Sequence, residues 1–317
     1  MKRSSQPVLT DSGEAAVARY TRYLHDEQDA SAGTRRSYLS ELRKYAAWCE
    51  ASWSEGHDTP VAFTPPQITT PLVTQYRSYL QTVRRMQPTT INRILVGLKR
   101  YCAWATEAGL LDRDPARVVK LIPQVKGAPR HLSDGEEQAL LAAVTKHGPL
   151  RDQTIFMVLL HTGLRAHELC GLEVRDVTVN KRSGVLRVRG KRNKYREVPL
   201  NSTAREALTA YRATVAKDSP ALFCSQKTSG ALTERALGYL IAKYAALAKV
   251  ADVSLHDLRY RFGYRMAAMV PLHRLAQMMG HDSLDTTMIS VQGTKQDVQQ
   301  EVEKIAWAYV AGGCGAA

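Results

Sequence analysis

The sequence predicts a mainly α-helical fold in two parts: an amino-terminal helical domain and a mixed α/β domain with a small antiparallel β-hairpin or sheet. The chain has 317 residues, more than the roughly 100–200 residues typical of one domain. Apolar residues recur at helical spacing through most of it. Residues 184–200 instead alternate apolar and polar side chains around a basic turn, which is typical of a hairpin.

The first helical domain is predicted at residues 12–122, after a flexible start at residues 1–11. Aromatic and aliphatic residues return at steps of three and four, for example from Tyr38 to Trp48. A later helix carries an apolar stripe from Ile91 to Cys102, with cations on its other face. Such a helix packs on one side, while its other side can contact a phosphate backbone or face water.

A linker at residues 123–131 leads to the second domain, at residues 132–295. The linker mixes proline, glycine and cations without periodicity. Ser133 and Glu136 then have the spacing of a capping box, which predicts that a helix begins there. Residues 296–317 are predicted to form a last amphipathic helix and a frayed tail.

The excess of positive charge predicts a polyanionic partner. Lysine and arginine number 44 against 30 aspartate and glutamate residues, a formal charge of +14. Nucleic acid is favoured over a membrane, because no apolar run approaches the roughly 18 residues of a spanning helix and the start lacks a signal-peptide core. The alternative is a solvated basic surface. The cations predicted to contact DNA are Arg35, Arg36, Arg93, Lys99, Arg100, Arg192 and Lys194.

The cysteines argue against a disulfide framework and against a zinc site. There are five of them, widely separated and never in a C-x-x-C pair. The cysteines therefore fit a protein of the reducing cytoplasm. We also expect neither a metal nor a cofactor.

Short motifs in the second domain combine cations with histidines. Arg165 follows a glycine-leucine pair at a predicted helix start, and Glu168 shares its helical face. His256 and Arg259 also share one face, and His281 lies at a turn. Taken singly, each motif is more commonly a structural or surface pair.

Together these groups suit phosphoryl transfer without a metal. Arginine donates paired hydrogen bonds to phosphate oxygens and stabilises the added negative charge of a pentacoordinate transition state. Lysine and histidine can supply and remove protons. The combination therefore favours one phosphate-reacting site.

The sequence resembles the tyrosine recombinase (phage integrase) family over nearly its whole length. The motifs T-G-L-R-x-x-E-L, G-K-x-N-K-x-R-x-V-P-L, H-x-L-R and G-H-x-x-x-x-T-T occur in the family's order. The helical domain is similar to the family's core-binding, SAM-like domain. The resemblance implies two domains that clamp double-stranded DNA at specific sites, as a dimer on one site and a tetramer in synapsis.

The resemblance also implies roles for individual residues. Arg165 and Arg259 would hold the non-bridging oxygens of the scissile phosphate, and His281 would add a hydrogen bond. His256 would assist proton transfer, and Glu168 would order the site.

On the hairpin, Lys191 would be the general acid for the departing 5′ hydroxyl. It directly follows the glycine of the G-K-x-N-K motif, and for this reason we prefer it to its rival, Lys194.

Ser290 departs from the family pattern. The family reads T-T-x-x-Y, whereas this chain has serine at the last position. Serine is shorter than tyrosine and far less acidic than a phenol, whose pKa is about 10. We therefore expect a recombinase of a mobile element or resolution system that binds DNA in the bacterial cytoplasm but does not form the 3′-phosphotyrosyl link or the Holliday junction that follows.

Several alternatives stay open. Ser290 could itself attack, or Tyr264 or Tyr309 could replace the missing tyrosine, although neither fits the T-T-x-x-Y register. The last helix can dock on its own domain or on another subunit. A recombinase-derived DNA-binding regulator and a relative of type IB topoisomerases are the other function classes.

Overall fold

The structure is a computed structural model that describes residues 7–26, 31–124, 130, 132–190, 195–216, 219–228, 230–281, 284, 287, 288 and 291. The chain divides into two compact units, residues 1–126 and 127–317. Most of the predicted linker lies outside the described residues. Among the helices within them, none is both long and apolar enough to cross a membrane.

The amino-terminal unit is a bundle of helices. They are α1 (Asp11–Asp26), α2 (Ala32–Ser54), α3 (Thr70–Thr82) and α4 (Pro88–Glu107), with a 3₁₀ turn at Pro65–Gln67. Helix α2 packs against α1 and α4, and α3 packs against α4. Tyr20, Tyr45 and Tyr101 are fully buried between them. The rings of Tyr20 and Tyr101 meet edge to face at 5.2 Å, a geometry that aromatic pairs favour.

The second unit is built around one central helix, α6 (Leu150–Thr162). Its other helices are α5 (Asp134–His147), α7 (Ala166–Cys170), α8 (Ser202–Arg212), α9 (Glu234–Leu247), α10 (Leu255–Ala267) and α11 (Leu272–Met279), with a 3₁₀ turn at Val174–Asp176. Helix α6 packs against α5, α8 and α10. Phe156 and Leu159 on α6 are buried with Leu258 on α10 in one apolar core. Packing in this core fixes the orientation of α10, and so the side on which its polar residues lie.

A three-stranded antiparallel sheet lies beside these helices. Its strands are β1 (Val177–Val179), β2 (Gly184–Arg189) and β3 (Tyr195–Pro199), in the order β1-β2-β3. Val188 on β2 pairs with Arg196 on β3, and Arg189 pairs with Tyr195. The inward face buries Leu186, Val188 and Val198, whereas Arg187 and Arg189 point outward because successive strand residues alternate in direction.

The predicted fold class is confirmed. The helical amino-terminal unit, the hairpin and the capping box at Ser133 are all present, and β1 adds a third strand that the sequence patterns did not indicate. The predicted residue limits of the domains stay a prediction.

Candidate active site

Arg165 and Glu168 form an ion pair at the junction between α6 and α7. Gly163 ends α6 in the left-handed region, at φ 60°, and the chain turns so that Arg165 caps α7. The backbone N–H of Arg165 donates to Glu168 Oε2 at 2.8 Å, and Arg165 Nη1 donates to Glu168 Oε1 at 3.0 Å. The Glu168 side chain is fully buried, whereas that of Arg165 is about one-third exposed. The ion pair expected from the sequence is therefore formed below the surface, with Arg165 toward the solvent.

Arg259, on α10, lines the same groove as Arg165, and it is buried. Its Nη1 donates to the carbonyl of Gly163, and its Nη2 donates to the carbonyl of Met279 at 2.8 Å. Burial, and then the charge of nearby Arg165, lowers the pKa of Arg259 to about 10. The guanidinium is thus held as a cation by backbone carbonyls in place of a carboxylate, so its charge stays available to an anion.

His281 completes the cluster from the end of α11. Gly280 terminates that helix in the left-handed region, at φ 64°, and turns His281 toward Arg259. His281 Nε2 lies 2.8 Å from Arg259 Nη2. Since arginine only donates, Nε2 is the acceptor, so Nδ1 carries the hydrogen and donates to Thr287 Oγ1 at 2.8 Å.

The environment of His281 favours its neutral form. Burial lowers the pKa of its imidazole most, followed by the charges of Arg259 and Arg165, to about 4. At neutral pH the ring is therefore an uncharged hydrogen-bonding group.

Arg196 belongs to this cluster, although sequence reasoning did not single it out. Its Nη1 donates to Glu168 Oε1 at 2.6 Å and its Nη2 to Glu168 Oε2 at 3.0 Å. Burial alone raises the pKa of Glu168, but the hydrogen bonds and charges of Arg196 and Arg165 outweigh it and lower that pKa to about 2. A signal existed, because Arg196 lies two residues before the buried Val198 and so on the inward face of its strand.

His256 lies apart from these hydrogen bonds, on the exposed side of α10. Its ring stacks on Tyr260, with 6.2 Å between the centroids. It lines a groove of about 520 Å³ together with Arg165 and Arg259. The groove therefore gives the histidine access to any group that the arginines bind.

Other predicted site residues belong to stretches that the structure does not describe. Lys191, Arg192, Lys194, Ser290 and Tyr309 lie outside the described residues, as does the predicted last helix. Tyr264, the other alternative nucleophile, is half-buried on α10.

The cations predicted to contact DNA in the amino-terminal unit lie on α2 and α4. Arg93 donates to Ser37 Oγ at 2.7 Å and to Glu41 Oε1 at 3.0 Å. Lys99 donates to the carbonyl of Arg117 at 3.1 Å. Arg36 and Arg100 are exposed, and Arg35 is half-buried. Their contact with DNA stays a prediction.

Two family models cover most of the chain. Residues 130–296 match the phage integrase family, and residues 14–121 match the phage integrase SAM-like domain. The chain belongs to the phage integrase family. The family resemblance drawn from the motifs is thereby confirmed.

Relatives of this phage integrase family member include proteins named tyrosine recombinase XerC. That of Mycobacterium sp. (strain KMS) is 29% identical over 289 residues, which cover 87% of this chain and 93% of that protein. That of Xanthomonas campestris pv. campestris (strain B100) is 27% identical over 296 residues, which cover 90% and 88%. Tyrosine recombinases break and rejoin DNA, so the predicted enzyme class is confirmed.

Solved structures share the fold. The XerH site-specific recombinase bound to its difH substrate, in a pre-cleavage complex, has a TM-score of 0.65 at 19% identity and covers 94% of this chain and 98% of that chain. A lambda integrase (75–356) dimer bound to a COC′ core site has a TM-score of 0.69 at 14% identity and covers 88% and 95%.

Proposed function

We propose that this family member is a site-specific recombinase of a mobile element or of a resolution system, and that Ser290 stops it before the first covalent step. The observation that carries the proposal is that Arg165 and Arg259 line one groove, with neutral His281 hydrogen-bonded to Arg259. The two guanidinium groups are donors suited to the oxygens of a single phosphate.

The chemistry follows from these donors. With a tyrosine at position 290, its phenolate oxygen would attack phosphorus while the bond from phosphorus to the 5′ oxygen breaks. Lys191 would give that departing oxygen its proton, and Arg165 and Arg259 would stabilise the charge that accumulates on the non-bridging oxygens. The product is a 3′-phosphotyrosyl link, which a free 5′ hydroxyl reverses without external energy.

Assembly on DNA is the second part of the proposal. The DNA-bound state of the XerH and lambda integrase structures and the charge of +14 support duplex DNA as the partner. In this proposal the SAM-like domain comprises residues 12–122 and the catalytic domain comprises residues 132–295. Both domains contact the DNA. A dimer would occupy one site and a tetramer would join two sites in the bacterial cytoplasm.

Ser290 also favours a second candidate function. A chain that holds the phosphate without a phenol at position 290 could act as a recombinase-derived regulator, which binds its site and never cleaves it. The two candidates differ in whether restoring a tyrosine restores cleavage.

The test starts from the chain's own binding site, selected from a random-sequence duplex pool. A nicked suicide substrate that carries this site would be incubated with the unaltered chain, with Ser290→Tyr and with Ser290→Phe, which matches the ring without the hydroxyl. We expect covalent protein–DNA adduct, measured on a denaturing gel, from Ser290→Tyr alone. Adduct from the unaltered chain would show that Ser290 or another tyrosine attacks. Tight binding with no adduct from any of the three would favour the regulator.

A further inference from the structure

Arg196 enters the site from the sheet and not from the helices that carry the other arginines. It is the second residue of β3, and its side chain is 18% exposed. Its guanidinium binds both oxygens of Glu168, whereas the side chain of Arg165 donates to one of them. A bidentate pair in a buried setting is the stronger of these two contacts.

The local backbone is shaped around this guanidinium. A Cβ atom at position 280 would lie 2.7 Å from Arg196 Cζ, so the glycine there leaves the space that the arginine occupies. Arg196 Nη2 also lies 3.4 Å from the carbonyl of Met279. Strand β3, the end of α11 and Glu168 on α7 are thus joined through one side chain.

Glu168 competes with any phosphate for Arg165. Its carboxylate is buried and accepts two hydrogen bonds from Arg165, one from the backbone N–H and one from the guanidinium. Without Arg196, this carboxylate would accept a second bond from the same guanidinium. Arg196 occupies both oxygens and neutralises the charge. The cluster of Arg165, Arg196, Arg259 and Glu168 then carries a formal charge of +2.

We propose that Arg196 is a positioning residue for Arg165: by holding both oxygens of Glu168, it keeps the guanidinium of Arg165 available to the non-bridging oxygens of the scissile phosphate. This inference rests on the proposed function, since it assumes that Arg165 binds that phosphate. It adds a residue that touches neither the substrate nor the reacting atoms. Its effect on the phosphate passes through Glu168.

The experiment measures phosphate contacts by binding, so it does not require cleavage. The selected duplex would be prepared as a series, each member with one phosphate replaced by an uncharged methylphosphonate. Affinities of the unaltered chain identify the phosphates whose charge matters. The phosphate whose effect disappears in Arg165→Met is the one that Arg165 binds, and we expect its neutralisation to weaken the unaltered chain about tenfold.

In Arg196→Met, neutralising this phosphate should weaken binding by much less than tenfold. Neutralising any other phosphate should weaken binding as much as in the unaltered chain. Arg196→Lys, which reaches one carboxylate oxygen, should be intermediate. Adding Glu168→Gln to Arg196→Met should restore the effect, because the amide no longer attracts Arg165 as a charged group. Arg187→Met is the matched control, since Arg187 lies on the outward face of the same sheet.

Two results would overturn the inference. One is a full tenfold effect at the Arg165 phosphate in Arg196→Met. The other is an equal loss of affinity for every duplex in the series, which a purely structural role would give; circular dichroism and thermal unfolding would identify a misfolded variant. If the unaltered chain has no phosphate that responds to Arg165→Met, the proposed function itself fails, and the inference fails with it.

Discussion

At the scale of single residues, two glycines set the geometry of the candidate active site. Gly163 and Gly280 each end a helix with a positive φ, and the carbonyls of both accept hydrogen bonds from site arginines. Glycine adopts this backbone conformation without the steric cost that other residues carry. Backbone carbonyls at these two turns therefore hold the guanidinium groups of Arg165 and Arg259 in place.

Gly280→Ala is expected to destabilise the chain by about 1–3 kcal/mol, because it combines a strained positive φ with a clash at Arg196. Gly135→Ala is the control. Gly135 lies in α5 with open space around it, so an added methyl should stabilise the helix by about 0.4–1 kcal/mol. Urea unfolding would measure both, and similar changes in the two variants would argue against the close packing described around Arg196.

His281 gives the site a dependence on pH. Its pKa is about 4 in the folded chain against about 6.5 when unfolded, so between these values the unfolded chain takes up a proton that the folded chain does not. The contribution of His281 to stability is complete above pH 6.5 and is lost as the pH falls toward 4. The difference in unfolding free energy between the chain and His281→Gln should shrink over this window. A difference that is constant with pH would show that His281 titrates normally.

At the scale of elements, an ion-pair network centred on the buried Arg261 joins α10 to α5. Arg261 on α10 is 5% exposed and donates to Glu137 and Asp134, while Arg265 donates to Glu137 at 2.7 Å. The same helix carries Arg259. The position of Arg259, which we propose as a catalytic arginine, therefore depends on a contact outside the groove.

Glu137→Gln is expected to cost about 3 kcal/mol, since it leaves the buried Arg261 without its main countercharge. Asp134→Asn is the matched control, because Asp134 also pairs with Arg261 but is exposed, and we expect little change from it. Guanidinium chloride unfolding would compare the two. Equal losses would mean that burial of the partner does not govern the strength of this network.

Local patterns made several of these elements predictable. The capping box at Ser133 and the β2–β3 hairpin depend on residues close together in the sequence. The contact between Arg196 and Glu168 joins residues 28 positions apart, and Arg259 binds a carbonyl 96 positions away. A backbone carbonyl is present at every residue, so residue types could not indicate which ones the arginines use. Strand β1 has only three residues, too few to show a period.

At the scale of the whole molecule, the excess of 14 positive charges predicts binding to DNA that depends steeply on salt. Neutralising phosphates releases counterions, so affinity falls by about 10³–10⁵ between 50 and 200 mM salt when roughly 6–10 phosphates are contacted. A fluorescence anisotropy titration at several salt concentrations would give the slope. Binding that is insensitive to salt would contradict a clamp on the phosphate backbone.

Single cations should change this slope according to their position and not merely their charge. Arg100→Gln removes a predicted DNA contact on α4, so the slope of log K against log salt should fall by about 0.9. Arg175→Gln removes the same charge from a site where the arginine is 80% exposed and pairs with Glu173 at 2.6 Å, and it should leave the slope nearly unchanged. If both substitutions lower the slope equally, the net charge alone attracts DNA, and α4 does not form a specific part of the DNA-binding surface.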